Sequence, residues 1–211
     1  SYVRKYFVQS PLISIEDEKD CDPDIMAGNI HDLTRAVAYQ VDLRIANVLT
    51  DSYNASSTTI NTVTSNAAWN AASYTNVNIV EDVMEAKQKI RSYGYNPEGG
   101  VIAMNSLAHK SMITWLIDGK GSSIPAFASQ KIETGVVMEI LGLRVVVTEI
   151  ITTDYAVVFL PQFSVKWKAF TSLTTATIVE EGMGKYIRVW EEGEALLEYP
   201  RSVSLISNTD A

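Results

Sequence analysis

A single cysteine, Cys21, and two histidines, His31 and His109, are the whole supply of thiol and imidazole in 211 residues. One thiol excludes an intramolecular disulfide framework and a cysteine-based metal cluster, and it suits a reducing compartment. The histidines fall in separate segments, and neither belongs to a metal-ligand spacing such as His-Glu-x-x-His. No apolar run reaches the roughly eighteen residues a membrane helix needs, and the N-terminus lacks the basic-then-apolar layout of a signal peptide. A soluble chain with no membrane partner is expected. Its first residue, Ser1, is not Met, as in a processed product or a fragment. Clustered positive charge is also missing: the net charge is −8 and Lys and Arg are scattered. A sequence-independent nucleic-acid binder needs a basic footprint that displaces phosphate counterions, so tight DNA or RNA binding is not expected.

The usual marks of an active site are equally scarce. There is no Gly-x-Ser-x-Gly nucleophile elbow and no Gly-x-x-x-x-Gly-Lys phosphate loop. Gly119-Lys120-Gly121 follows a predicted helix instead of opening one, so its amides are not aligned for a phosphate and it reads as a turn. Asp17, Asp20, Asp22 and Asp24 lack the glycine and terminal Glu of a calcium loop. Their stretch, residues 16–24, reads as a solvated turn, and its like charges disfavour the Cys21 thiolate. Glu180-Glu181, Glu191-Glu192 and Glu194 read as solvated guards at strand ends, and His31 as a helix-surface residue. No catalytic residue, cofactor or metal is predicted.

What the chain does have is a globular balance, with 46% hydrophobic and 20% charged residues. At this length it forms one large domain or two small lobes without needing a metal or disulfide to fold. Residues 2–15 read as an extended strand or two short ones, with Pro11 demoting its neighbours to an edge. Ile30, Leu33, Val37, Val41, Ile45 and Val48 recur at steps of three or four, so they share one face of a helix over 29–51, capped by Asn29 with Asp32 three residues on. Its length is about 33 Å. Residues 52–76 are rich in Asn, Ser, Thr and Ala and read as a long polar connection, around Tyr53, Trp69 and Tyr74. Asn78 and Glu81 mark a second helix with Ile79, Val83, Ala86 and Ile90 inward, closed by Gly94. A turn at 95–100 leads to an apolar strand over 101–104, and Ser106 caps a third helix to about 117. Residues 121–129 form a loop. From Val136 the pattern is β: runs at 143–149, 155–160, 163–169, 175–180, 185–190 and 195–206, with 175–179 and 186–190 facing each other as a hairpin. Helices first and strands later make the class α+β, not alternating α/β.

Four phrases carry a resemblance. Leu12-Ile13-Ser14-Ile15-Glu16 precedes the long helix. The second helix runs into Gly94-Tyr95-Asn96-Pro97 and a strand ending in Met104-Asn105. Ile140-Leu141-Gly142-Leu143-Arg144-Val145-Val146-Val147 follows. Arg188 leads to Glu194-Ala195-Leu196-Leu197-Glu198-Tyr199-Pro200-Arg201-Ser202-Val203 at the close. In this order and spacing they resemble the core of the Hong Kong 97-type major capsid proteins of tailed viruses, a fold shared with encapsulin nanocompartments.

The resemblance implies a spine helix (29–51) and a long hairpin in a peripheral lobe, residues 1–60 and 163–200. It also implies an axial lobe of mixed helix and sheet, 61–162 and about 201–211. Relatives carry an N-terminal arm and an extended loop ahead of the spine helix; only about 28 residues precede it here, so those parts are largely absent. The implied function is a structural shell subunit forming pentamers and hexamers around packaged DNA, with a scaffold or protease as assembly partners, located in the virion and assembled in the host cytoplasm. An encapsulin-like compartment, or a small α+β ligand-binding domain, is the alternative. Arg35, Asp42, Arg44, Trp69 and Arg188 are the candidate subunit-interface residues.

Overall fold

The computed structural model describes residues 3–20, 24–50, 59–71, 76–119, 139–161 and 163–210. Cys21, Asp22 and the 121–129 loop lie outside them, as do parts of the polar connection. Two compact units emerge: Ser1–Ile45 with Trp167–Leu196, and Ala46–Lys166 with Leu197–Ala211.

The first unit is organised by one strand, β9 (Gly184–Leu197), the return arm of a long hairpin whose outgoing arm is β8 (Val165–Glu180). β1 (Arg4–Gln9) and β2 (Ile13–Ser14) pair antiparallel with it, β1 from Gly193 to Arg188 and β2 at Lys185 and Gly184. The register slips by one residue across Ser10-Pro11-Leu12, where Ser10 replaces ladder bonds by accepting from the Ile187 amide (2.9 Å) and donating its own amide to Ile187 O (2.8 Å). Proline cannot donate to a ladder, so the break falls where the sequence forces it. α1 (Ile15–Asp20) and α2 (Asp24–Thr50) follow. Met26, Leu33 and Val37 of α2 pack with Val8, Ile13, Ile187 and Val189 of the sheet, the contact that gives this unit its core.

Three expectations change here. The acidic stretch is helical at Ile15–Asp20, because the Ser14 hydroxyl accepts from the Asp17 amide (3.0 Å) and satisfies a first-turn donor. The spine helix starts at Asp24 and leaves Asn29 in its interior, not at a cap; Gly28 is accommodated within it with open space around it. The outgoing hairpin arm is one continuous strand, not two.

The second unit is a six-stranded mixed sheet, β3 (Asn61–Thr64), β10 (Ser204–Ser207), β7 (Tyr155–Phe159), β4 (Val101–Met104), β6 (Leu143–Val147) and β5 (Glu139–Ile140) in that spatial order. β3 with β10 and β4 with β6 are parallel; the other neighbours are antiparallel. α3 (Ile79–Ser92) and α4 (Ser106–Thr114) contribute to its core, α3 through the predicted stripe Ile79, Val83, Ala86 and Ile90, all fully buried. These meet Ile102, Met104, Val158 and Ile206 of the sheet. At roughly 25 cal/mol per Å² of apolar area removed from water, each such side chain contributes about 1.5–3 kcal/mol. α4 is capped by Asn105, not Ser106: the Asn105 side chain accepts from the Leu107 amide (2.9 Å). A π-turn, Trp115–Gly119, extends the helix end.

The polar connection holds a strand after all. β3 pairs in parallel with β10, some 140 residues away in sequence, and on its outer side Lys89 caps the Thr62 carbonyl (2.7 Å). A lysine on an edge strand discourages stray pairing. The turn joining β5 to β6 places Leu141 at φ 51° and Gly142 at φ 77°, the two left-handed positions that a tight hairpin turn requires. Leucine tolerates this poorly; Lys87 holds it by donating to the Leu141 carbonyl (2.5 Å) and pairing with Glu98 (3.1 Å).

In the second unit a buried ionisable side chain has a structural task. Asp82 in the first turn of α3 is buried, and its Oδ2 accepts from Ser65 Oγ (2.7 Å) and Trp69 Nε1 (2.9 Å). The Ser65 hydroxyl is also 2.7 Å from the Ala67 carbonyl, so one proton faces two acceptors. Burial raises the Asp82 pKa above the ordinary aspartate value, against the hydrogen bonds from Ser65 and Trp69, which lower it. A raised folded-state pKa means that the folded protein holds this proton more tightly than the unfolded chain. The group's contribution to stability therefore falls as pH rises from the unfolded value through the folded one.

Asp82→Asn keeps an acceptor for both donors and removes the charge, so its stability relative to the parent should rise over that window. Asp82→Leu orphans two buried donors, at about 1–3 kcal/mol each. Urea unfolding of all three proteins at pH 4 and pH 7 checks this. A parent–Asn difference that does not change with pH would remove the linkage.

Candidate assembly surface

The hairpin unit carries a buried ion pair and a row of exposed apolar side chains among the described residues. Glu194 on β9 is buried and receives Arg44 of α2 twice, from Nε (2.9 Å) and the guanidinium NH2 (2.7 Å), with Arg4 of β1 at 3.5 Å. Both Arg44 nitrogens converge on Oε1 while Arg4 reaches Oε2, so each oxygen of the desolvated carboxylate faces a guanidinium. Glu191 accepts from Trp167 Nε1 (2.7 Å), and the Trp167 ring sits against Tyr6. Glu192 pairs with Lys5 (3.0 Å) and accepts from Thr171 (3.1 Å); these two contacts, Lys5 first, hold its pKa below the usual glutamate value. Burial raises the Tyr6 hydroxyl above the ordinary tyrosine value. The three acids are therefore not solvated guards at a strand end. They lie inside β9, each tied to a partner on another strand or on α2.

Gly193 sits among them because nothing larger fits. A Cβ there would overlap the Trp167 ring and come within 2.7 Å of the Lys168 carbonyl oxygen.

The predicted interface residues scatter. Arg35 and Asp42 are exposed on α2. Arg44 is half-buried in the Glu194 pair, which is internal to the chain. Arg188 is spent on Gln9 of β1, through Nε (3.1 Å) and NH2 (2.6 Å). Trp69 is 0% exposed and bonded to Asp82, so it offers no surface to a partner copy. Its reading as an interface ring is corrected, because a lone Trp in a polar stretch looks exposed until a distant helix covers it. The surface that composition did not flag is the outgoing arm of the hairpin, where Phe170 is 79% and Val179 64% exposed, with Leu173, Ile178 and Met183 also open. On β1, Phe7 is 60% exposed.

The second unit carries an exposed ring cluster. Phe163 stacks on Tyr199 at 4.1 Å, Tyr95 meets Phe163 edge-on at 5.7 Å, and Arg201 lies 4.7 Å over the ring of Tyr93. An open groove of about 1110 Å³ runs along α3, lined among others by Met84, Lys87, Arg91 and Glu98. Its charged groups already answer one another: Glu98 takes both Lys87 and Arg91, and those two, Lys87 first, hold its pKa below the usual range. His31 is an exposed surface residue beside Asp32. Among the described residues no three His, Cys, Asp or Glu side chains converge as a metal site would require. Nor is any described helix long and apolar enough to cross a membrane.

No family model and no curated protein matches the sequence. Solved structures do. A structure titled Mycobacterium phage Che8 aligns with 99% of this chain and 72% of its own, at a TM-score of 0.75 and 16% identity. The capsid of cyanophage P-SCSP1u aligns with 98% of this chain and 72% of its own, at 0.73 and 14%. A virus-like particle from Pyrococcus furiosus aligns with 98% and 77%, at 0.62 and 12%.

The fold is the Hong Kong 97-like capsid fold.

In this capsid fold the Arg44–Glu194 pair is the tie between the long helix and the sheet of the hairpin unit. Removing one side of a buried ion pair leaves an uncompensated charge and costs about 3–5 kcal/mol. Arg44→Met should approach that figure, softened by Arg4. Glu194→Leu should cost less, because the half-exposed Arg44 can turn to water. The double variant Arg44→Met, Glu194→Leu should be more stable than Arg44→Met alone. Denaturant unfolding of the four proteins measures the coupling, and independent additive losses would refute it.

Proposed function

We propose that the chain is a major capsid protein. In this reading it is a structural subunit that assembles with copies of itself, as pentamers and hexamers, into an icosahedral viral shell around packaged DNA. The observation that carries it is the extent of the fold match: 98–99% of the chain aligns with chains of structures titled as capsids. No separate catalytic module is left over among the aligned residues.

In this reading the first unit, with the spine helix and hairpin, corresponds to the peripheral lobe (residues 1–60 and 163–200). The sheet unit corresponds to the axial lobe (61–162 and about 201–211), whose loops meet at five-fold and six-fold axes. A shell subunit acts through contacts repeated by symmetry, not through one pocket, and that agrees with a surface whose grooves hold charges already paired. Arg35 and Asp42, exposed on the polar side of α2, are candidates for ion pairs between subunits; Arg44 and Arg188 have partners within the chain. The subunit resides in the virion after assembly in the host cytoplasm, with a scaffold or protease acting during assembly.

The net charge of −8 supports enclosing DNA without gripping it. A wall that bound phosphates tightly would hinder both packaging and release.

A protein nanocompartment of the encapsulin kind is the second reading, favoured by the likeness to the virus-like particle from Pyrococcus furiosus. The two differ in what the particle holds.

Electron microscopy and sedimentation of the purified protein test the proposal. Capsomers or closed particles are expected, and a strict monomer that saturates with a small metabolite would overturn it. Analysis of particle contents separates nucleic acid from a protein cargo. Titration with duplex DNA should give affinity weaker than micromolar at physiological salt; tighter binding that falls steeply with added salt would overturn the non-gripping wall.

A further inference from the structure

The outgoing hairpin strand β8 has an open edge. Its one partner among the described strands is β9, so along up to 16 residues every second peptide group presents its N–H and C=O outward. Natural edge strands of this length are blunted by proline, by inward charge or by lysines along the strand. β8 has no proline, and its lysines are confined to its first residues. Beyond Lys168 the strand runs Ala-Phe-Thr-Ser-Leu-Thr-Thr-Ala-Thr-Ile-Val and reaches its first acid at Glu180. Phe170, Leu173, Ile178 and Val179 on this stretch are all exposed. Four apolar side chains standing open on an unpaired edge are the signature of a surface that is covered in the working state.

The distribution of charge identifies the cover. Lys168 lies near one end of the strand and Glu180 at the other, and Lys168 forms no ion pair among the described residues. A second copy of the same strand, laid antiparallel about a two-fold axis through Thr174, brings Lys168 opposite Glu180 twice and Phe170 opposite Ile178 twice. Ala169 then faces Val179 on the other side of the ribbon. Cross-strand pairs of opposite charge and of aromatic with β-branched residues each favour pairing, and a parallel arrangement would set lysine on lysine. We propose that β8 is a self-pairing edge, joining two copies of this chain strand to strand about a two-fold axis centred on Thr174. The inference rests on the reading of the chain as a self-assembling subunit and names one of its contacts.

A cysteine at the axis tests it. Directly opposed residues in an antiparallel pair have Cα atoms about 4.5–5.5 Å apart, within the 4.4–6.8 Å span of a disulfide. With Cys21→Ser in the background, Thr174→Cys is expected to give a disulfide-linked dimer under mild oxidation, and Glu181→Cys at the exposed turn is not. Lys168→Glu should reduce the crosslinked fraction at least tenfold, as should Glu180→Lys; the double reversal Lys168→Glu, Glu180→Lys should restore it. Phe170→Lys should also lower it, and its exposure makes a folding defect easy to distinguish by circular dichroism. Particles that form without the Thr174→Cys crosslink would overturn the edge pairing and leave the shell reading intact. A crosslink that the double reversal fails to rescue would overturn the antiparallel register. A chain that stays monomeric at all concentrations would overturn both.

Discussion

Desolvating the carboxylate of Glu194 sets the terms for the whole hairpin unit. A buried carboxylate without a partner costs several kcal/mol, so β9 can bury this residue only where a cation is already waiting. Arg44 supplies it from a helix 150 residues earlier in the chain, and Arg4 adds a second charge from β1. The pair therefore fixes three things at once: the rotation of α2 about its own axis, the depth at which β9 passes beneath it, and the position of β1 alongside. Apolar burial of Val37 against Ile187 and Val189 provides the attraction. It is non-directional, whereas a two-pronged guanidinium contact tolerates little displacement. The register of the sheet is specified by the polar contact as much as by the apolar one.

The same division of labour recurs along β9. Glu191 holds the indole of Trp167, whose ring occupies the space left by Gly193. Glu192 bridges β1 and β8 through Lys5 and Thr171. These contacts tie the central strand to its neighbours on both sides over a short span. Beyond Thr171 the outer arm is tied again at its far end, where Tyr186 of β9 hydrogen-bonds Glu180, and its exposed apolar residues Leu173, Ile178 and Val179 lie between those ties. The base of the hairpin is thus locked by several polar contacts, while Phe170, Leu173, Ile178 and Val179 stand exposed along its outer arm.

Much of this architecture was legible in the chain because it is local. The stripe of Ile79, Val83, Ala86 and Ile90 needed only a 3.6-residue period, and all four positions are fully buried. Gly94 has the left-handed backbone expected of a helix terminator, and β4 occupies the predicted 101–104. What escaped was non-local or depended on a single side-chain bond. β3 is only four residues long inside a polar stretch, so its β-branched Thr62-Val63-Thr64 does not stand out until β10 lies beside it. The helix at Ile15–Asp20 turns on one hydroxyl, Ser14. Trp69 looked like surface because its cover, α3, is closed over it by a bond to Asp82. Glu192 and Glu194 of β9 looked solvated because their cations come from elements 187 and 150 residues away, at Lys5 and Arg44.

The order of elements was more informative than any one of them. Identity to the three solved structures compared above is only 12–16%, yet nearly the whole chain follows their path. That is the expected outcome when function resides in shape. An enzyme must hold a few reacting groups within about 0.5 Å of productive geometry, which pins particular residues. A wall must present edges and faces that close under symmetry, and many sequences satisfy that if the long helix, the hairpin and the sheet unit keep their lengths and sequence. The residues that do persist as recognisable phrases here, the Gly94-Tyr95-Asn96-Pro97 turn and Leu141-Gly142, sit where the backbone is constrained and not where side chains react. In a fold held this way, turns and buried charges fix the backbone path, and side chains are free to vary where neither holds them.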